Sequence, residues 1–207
     1  MLIGAAGFLS VFTWILHGHV FANAQTGNIV QFIATAFQGD WGQASRHVAP
    51  MLAFFPGVFA AQWLLLHWPA TGVRNAAVVV LSIEIVILVA IAVLPATFPE
   101  SPVTFGISFV AALQNSAFKQ TGQWSYTSVV TTGNLRSAGE AIYAALAQPS
   151  RLANQKARVF VAFCVAFVVG SALGAFLTIK VGPNAIAVPI ALLMSVLLCR
   201  LCDRQIH

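Results

Sequence analysis

Apolar residues gather along this chain into runs divided by short polar breaks. A helix needs about 20 apolar residues to cross a bilayer. Leu2 to Leu16 falls short of that, breaks at His17-Gly18-His19, and resumes after Asn28 as far as Phe37. These pieces read as one discontinuous span with an irregular middle. Asp40 to His47 reads as a polar loop, and Val48 to Trp68 as span two. Pro56-Gly57 should kink that span, because Pro removes a helix hydrogen bond. Thr71 to Arg74 is a short turn. Span three, Ala76 to Leu94, is apolar except for Glu84, and Pro95 to Pro102 connects the two halves of the chain. The second half repeats the plan. Val103 to Phe118 is a short apolar helix, Lys119 to Thr131 is polar and irregular, and Asn134 to Ala147 is a second half-helix. Gln148 to Arg158 reads as a loop, Val159 to Ile179 as span five and Ala185 to Leu201 as span six.

One tripeptide marks both irregular stretches. Thr26-Gly27-Asn28 returns as Thr132-Gly133-Asn134, 106 residues later and about half the chain away. In each copy Gly permits backbone angles that other residues avoid, and Asn is expected to open the next helix. Pro56-Gly57 to Ala61 aligns with Val169-Gly170 to Gly174, both small-xxx-small patterns that let helices approach closely in lipid. The expected fold is therefore all-α and polytopic, with about six transmembrane spans. It comprises a three-span repeat over residues 1–94, a connecting loop over 95–102, and a second repeat over 103–207. The first and fourth spans are discontinuous. Three spans is an odd number, so the repeats should be inverted, as in many secondary transporters.

Composition supports the membrane. Only 7% of the 207 residues are charged and 59% are hydrophobic, whereas soluble domains carry about 25% charge. No basic stripe with interleaved aromatics appears, so the net charge of +5 reads as a topology signal and nucleic acid is not expected as a partner. With six spans, Arg74, Arg151, Lys156, Arg158, Arg200 and Arg204 share one side, against Arg46 and Lys180 on the other. The positive-inside rule then puts both termini in the cytoplasm. Met1 leads straight into an apolar run, so no cleavable signal peptide is read.

The candidate chemistry clusters at the breaks. Backbone interrupted at membrane depth survives only when buried in protein or lining a watery cavity. Two half-helix N-termini, each carrying about half a positive charge, form a ready site for an anion. Thr26, Gly27, Asn28, Thr132, Gly133 and Asn134, with Gln114 and Asn115 nearby, are the candidate solute-binding residues. The same residues can instead serve only to satisfy their own broken helices. Glu84, His17 and His19 are candidates for coupling, since an ionisable group inside a span is a functional candidate by default. Arg136 and Glu140 stand four apart and read as a local ion pair. The pair Cys199 and Cys202 lacks a second pair, and no nucleophile, phosphate-loop or zinc-protease motif occurs. Neither catalysis, cofactor nor metal is expected.

Phe21-x-x-x-x-Thr-Gly-Asn28, Leu113-Gln-Asn115 and Thr131-Thr-Gly-Asn134 together resemble the YoaK-like family of bacterial inner-membrane proteins, known mainly as a domain of unknown function. The resemblance covers essentially the whole chain. It implies that Thr26, Gly27, Asn28, Gln114, Asn115, Thr132, Gly133 and Asn134 are signature positions, and it implies a multi-pass location in the bacterial inner membrane. The family often carries an acidic residue in its first helix shortly after a Gly. Here Gly7 is followed by Phe8, Leu9 and Ser10, so this chain either lacks that acid or uses Glu84 in its place. The expected function is a small secondary transporter or permease for a small polar solute, an anion among the candidates. The alternative is a structural or regulatory membrane protein without transport activity. The lipid bilayer and the solute are the expected partners, and association of identical chains is left open.

Overall fold

The computed structural model describes residues 1–67, 72–95 and 97–202. Trp68 and Thr71, at the expected end of span two and the turn after it, and Arg204 lie outside them. The described residues are all-α apart from one small hairpin. Its helices are α1 (Leu2–Leu16), α2 (Gln25–Phe37), α3 (Trp41–Arg46), α4 (Val48–His67), α5 (Gly72–Ala92) and α6 (Glu100–Ala117). The hairpin pairs β1 (Gln120–Thr121) with β2 (Trp124–Ser125), and α7 (Thr131–Ala147), α8 (Arg151–Val181), a 3-10 turn (Gly182–Ile186) and α9 (Ala187–Cys202) follow.

The stretches Trp41–His67 and Arg151–Cys202 are long and apolar enough to cross a membrane, with mean hydropathies of 1.6 and 2.5 in their most apolar windows. Leu2–Leu16 and Ala76–Ala92 are shorter apolar helices. Large apolar side chains stand exposed on the outer faces: Phe55, Phe59 and Leu66 on α4, Val86 on α5, and Val168 and Phe176 on α8.

The core is shared between the two halves of the sequence. Phe8, Phe12, Leu81, Leu88, Ile107, Leu113, Ile186 and Leu193 belong to one buried cluster. Helix α1 packs chiefly along α8, and α6 along α4. Both crossings depend on small residues. A Cβ on Gly170 would lie 2.1 Å from the Gly4 carbonyl oxygen, and one on Gly7 2.4 Å from that of Phe167. In the other crossing, a Cβ on Gly57 would lie 2.5 Å from the Phe109 oxygen and 2.7 Å from the Ala112 Cβ. Backbones this close leave no room for a side chain, which is how small-residue stripes bring helices together.

Three expectations about the breaks need correction. First, Asn28 and Asn134 do not open their helices. Helix α2 starts at Gln25 and α7 at Thr131, so each Asn lies in the first turns, with Ala24 and Val130 as the N-caps. Gly27 and Gly133 need no unusual backbone angle there. The left-handed angles fall earlier, at Gly18 (φ 68°) and His19 (φ 60°) in the first break and at Gly122 (φ 57°) in the second. Second, the polar segment after α2 contains α3, capped where the Asp40 side chain accepts from the Gln43 N–H at 2.9 Å. Third, Gln148 to Arg158 is not a loop throughout. Helix α8 begins at Arg151, capped by the Ser150 hydroxyl, which accepts from the Ala153 N–H at 3.1 Å. Lys, Arg and Gln are good helix formers, so charge alone does not end a helix. At 31 residues α8 is about 46 Å long and overshoots a hydrocarbon layer of about 30 Å.

Candidate functional site

Both breaks are held by the same device. Asn28 reaches back seven residues: its Oδ1 accepts from the Phe21 N–H at 3.0 Å and its Nδ2 donates to the Phe21 carbonyl at 2.6 Å. Asn134 does the same to Thr127, accepting at 3.1 Å and donating at 2.7 Å. Each side-chain amide thus pairs with a peptide unit much as a neighbouring strand would. That is why Asn is required: a carboxylate cannot donate, and an aliphatic side chain would leave two buried backbone groups unpaired. Gly27 serves the brace through space, because a Cβ there would lie 2.9 Å from the Phe21 ring.

The amide of Asn28 is fully used. Its Oδ1 also lies 3.3 Å from His47 Nδ1, and its Nδ2 also donates to Gln25 Oε1 at 2.9 Å. An Asn amide makes four hydrogen bonds at most, so all of its capacity is met inside the chain. Thr26, Thr132 and Gly133 are exposed, while Asn28 and Asn134 are buried. The structure therefore brings Asn28 and Asn134 to their own loops rather than to each other.

The breaks meet one step away. Asn23 Nδ2 donates to the Ala6 carbonyl at 3.0 Å and to the Val129 carbonyl at 3.2 Å, and the Ser10 hydroxyl donates to Asn23 Oδ1. Asn23 and Val129 are themselves 106 residues apart. A cavity of about 300 Å³ lies beside this contact, lined by Ser10, Asn23, Val129, Thr131, Thr132 and Ser171 among others. The buried Thr131 hydroxyl has no hydrogen-bond partner.

Glu84 is 1% exposed and faces Gln114 of α6. The Gln114 amide, with its nitrogen toward the carboxyl group, donates at 2.8 Å to one oxygen and 3.2 Å to the other. Ser128 of the second break donates its hydroxyl to the Gln114 carbonyl at 3.2 Å. The acid on α5, the amide on α6 and the second break form one chain of contacts. Asn115 stands beside it with its buried side-chain oxygen unpartnered.

His17 ends α1 and borders two further cavities, of about 260 and 270 Å³. His19 turns away and packs on Trp14, ring centres 4.9 Å apart. Sequence reasoning misses Arg46 and His47 as site residues. The signal for both is the polar run after α2, which reads as a loop until Asp40 is recognised as a cap. The Arg136–Glu140 pair forms at 3.6 Å on an exposed face. Among the described residues no three His, Cys, Asp or Glu side chains gather as metal ligands, and Cys164, Cys199 and Cys202 are free.

Fold and site together define a helical protein with stretches apolar enough to cross a membrane and two amide-braced helix breaks in mutual contact. Residues 1–199 match the family described as Protein of unknown function (DUF1275), and the chain belongs to that family. Neither curated proteins nor solved structures yield a match.

Proposed function

We propose that this protein is a small secondary transporter or permease of the bacterial inner membrane, built from two inverted three-span repeats. The observation that carries the reading is the recurrence of contacts at one sequence offset. The Asn28–Phe21 brace recurs as Asn134–Thr127, and the equivalent positions Asn23 and Val129 touch. The α1–α8 crossing likewise answers the α6–α4 crossing. A pseudo-two-fold axis passing between residues 23 and 129 accounts for all of these. Inverted repeats with broken helices at their interface are the common plan of alternating access. In this reading the exposed apolar faces meet lipid, both termini are cytoplasmic, and the braces frame the solute path rather than coordinating the solute. Glu84, buried against Gln114, is the coupling acid.

The second reading, a structural or regulatory membrane protein, draws on the saturated amide of Asn28, which has nothing left to offer a solute. Reconstitution in proteoliposomes separates the two. Uptake of a member of a small-metabolite panel, driven by a proton gradient and abolished in Glu84→Gln while the variant stays folded, supports transport. Absence of uptake across the panel by folded protein sinks it.

A further inference from the structure

We propose that the cavity at the His17 end of the bundle binds a small zwitterion with an apolar side chain, the chemistry of an apolar α-amino acid. This names a solute class for the permease proposed above and rests on that reading for its role, although binding itself stands on the cavity alone.

Two cavities adjoin here and share His17 and Glu100. The inner one, about 260 Å³, is walled by Phe12, Leu16, Ile91, Leu94, Phe98 and Val103, among others. The outer one, about 270 Å³, is lined by Arg46, Ser101 and Thr104 besides the shared pair. Ligand sites commonly occupy roughly 300–1,000 Å³, so this one suits a small molecule with an apolar end inward and a polar end outward.

The polar end meets a rim carrying both signs of charge. Arg46 Nη1 donates to Glu100 Oε2 at 3.0 Å, an ion pair whose side chains, 46% and 41% exposed, keep further donor and acceptor positions open. An anion alone would meet Arg46 and be repelled by Glu100, and a cation alone would suffer the reverse. A carboxylate and an ammonium on one carbon can engage both. Charged hydrogen bonds of this kind are the strong ones. Between the lobes, His17 Nδ1 is buried without a partner, a costly state for a polar atom that a ligand's head group would relieve.

Arg46 is built into this place. Gly18 has φ 68°, and a Cβ there would lie 2.5 Å from the Arg46 guanidinium, so the break lets Arg46 lie across it. The Gln43 side chain donates to the Gly18 carbonyl and ties α3 to the same point. The first break thus supplies both the orphaned histidine and the seat of the cation.

The test is calorimetric titration of the full chain in nanodiscs with L-leucine and L-phenylalanine. Comparison ligands are 4-methylpentanoate (acid only), isoamylamine (amine only) and L-serine (no apolar side chain). The expected result is saturable binding of leucine or phenylalanine, at least tenfold tighter than all three. Arg46→Gln and Glu100→Gln should each weaken it at least tenfold. Leu94→Trp, which fills the inner lobe from the turn after α5, should abolish it, and Lys119→Gln should leave it unchanged. Each variant is used only with its unfolding midpoint preserved; Leu94→Trp keeps the test open if the rim variants fail to fold. No binding of either amino acid, or equal binding of the acid-only or amine-only analogue, overturns the proposal. So does leucine binding that the folded variants do not alter. Binding without uptake in proteoliposomes would sink the permease reading and leave the site standing. Uptake of an unrelated solute without amino-acid binding would do the opposite.

Discussion

At the first break Asn28 uses all four of its hydrogen-bonding positions inside the chain, whereas at the second Asn134 leaves one amide hydrogen without a partner among the described residues. The brace to the peptide seven residues back is common to both. What differs is the wrapping. The first break is closed by α3, with His47 on Asn28 and Arg46 over Gly18. The second is followed by no such helix; a β-hairpin lies within it, and Tyr126 packs on Phe163 with ring centres 4.9 Å apart. The shared part is what any interruption of a packed helix requires, namely partners for freed backbone groups. The unshared part is α3 with Arg46 and the following His47, and Arg46 walls the outer cavity at His17.

The comparison can be broken most severely where the two helix crossings are alike. Gly57→Leu and Gly170→Leu each insert a side chain where backbone already lies within 2.5 Å and 2.1 Å of a Cβ position. Each should destabilise at or above the upper end of the usual overpacking cost of about 1–3 kcal/mol, read as a lowered unfolding midpoint in detergent. If one is tolerated and the other is not, the two crossings are not equivalent.

Next come the braces. Asn28→Ala orphans the Phe21 N–H and carbonyl and strips partners from Gln25 and His47, while Asn134→Ala orphans chiefly the Thr127 peptide. An unsatisfied buried polar group costs about 1–3 kcal/mol. Asn28→Ala should therefore lower the thermal midpoint more than Asn134→Ala does. Equal losses would mean that α3 contributes nothing to the first brace.

A third difference is sharpened by double mutation. Position 114 carries Gln, but the position 106 residues earlier carries Phe8, so Glu84 has its amide partner on one side only. Glu84→Leu with Gln114→Leu should be more stable than either single variant, with a coupling of about 0.5–3 kcal/mol in a thermal double-mutant cycle. Additive losses would show that the pair is not in contact. The smallest effect is Arg136→Ala on the exposed face of α7, where an i, i+4 pair contributes at most about 0.5 kcal/mol. A larger drop in midpoint would mean that this face is covered.

Much of the helical layout is legible in the sequence because apolar runs and Gly, Pro and His breaks are local signals. Leu2–Leu16 reads correctly to the residue, and Glu84 stands out because a carboxyl group is rare in so apolar a run. The starts of α2 and α7 are misread because Thr-Gly-Asn resembles a cap, and only the fold shows its amide turned back to a peptide seven residues earlier. The start of α8 is misread because its cap, Ser150, precedes a charged turn instead of an apolar one. The cavity at His17 is not legible. Its walls come from α1, α5, α6 and the 3-10 turn, and its cation from α3, which no periodicity within one segment connects.

The crossing of Gly4 by Gly170 also fixes an order of events during synthesis. These residues are 166 apart in sequence. At about 5–20 residues per second, ribosomes need roughly 10–30 s to make that much chain. Throughout that interval the glycine face of α1 has been made but lacks the helix it is shaped for. The amide brace at Asn28 needs only the preceding seven residues and can close at once. The newborn first half is thus locally finished and globally unpartnered.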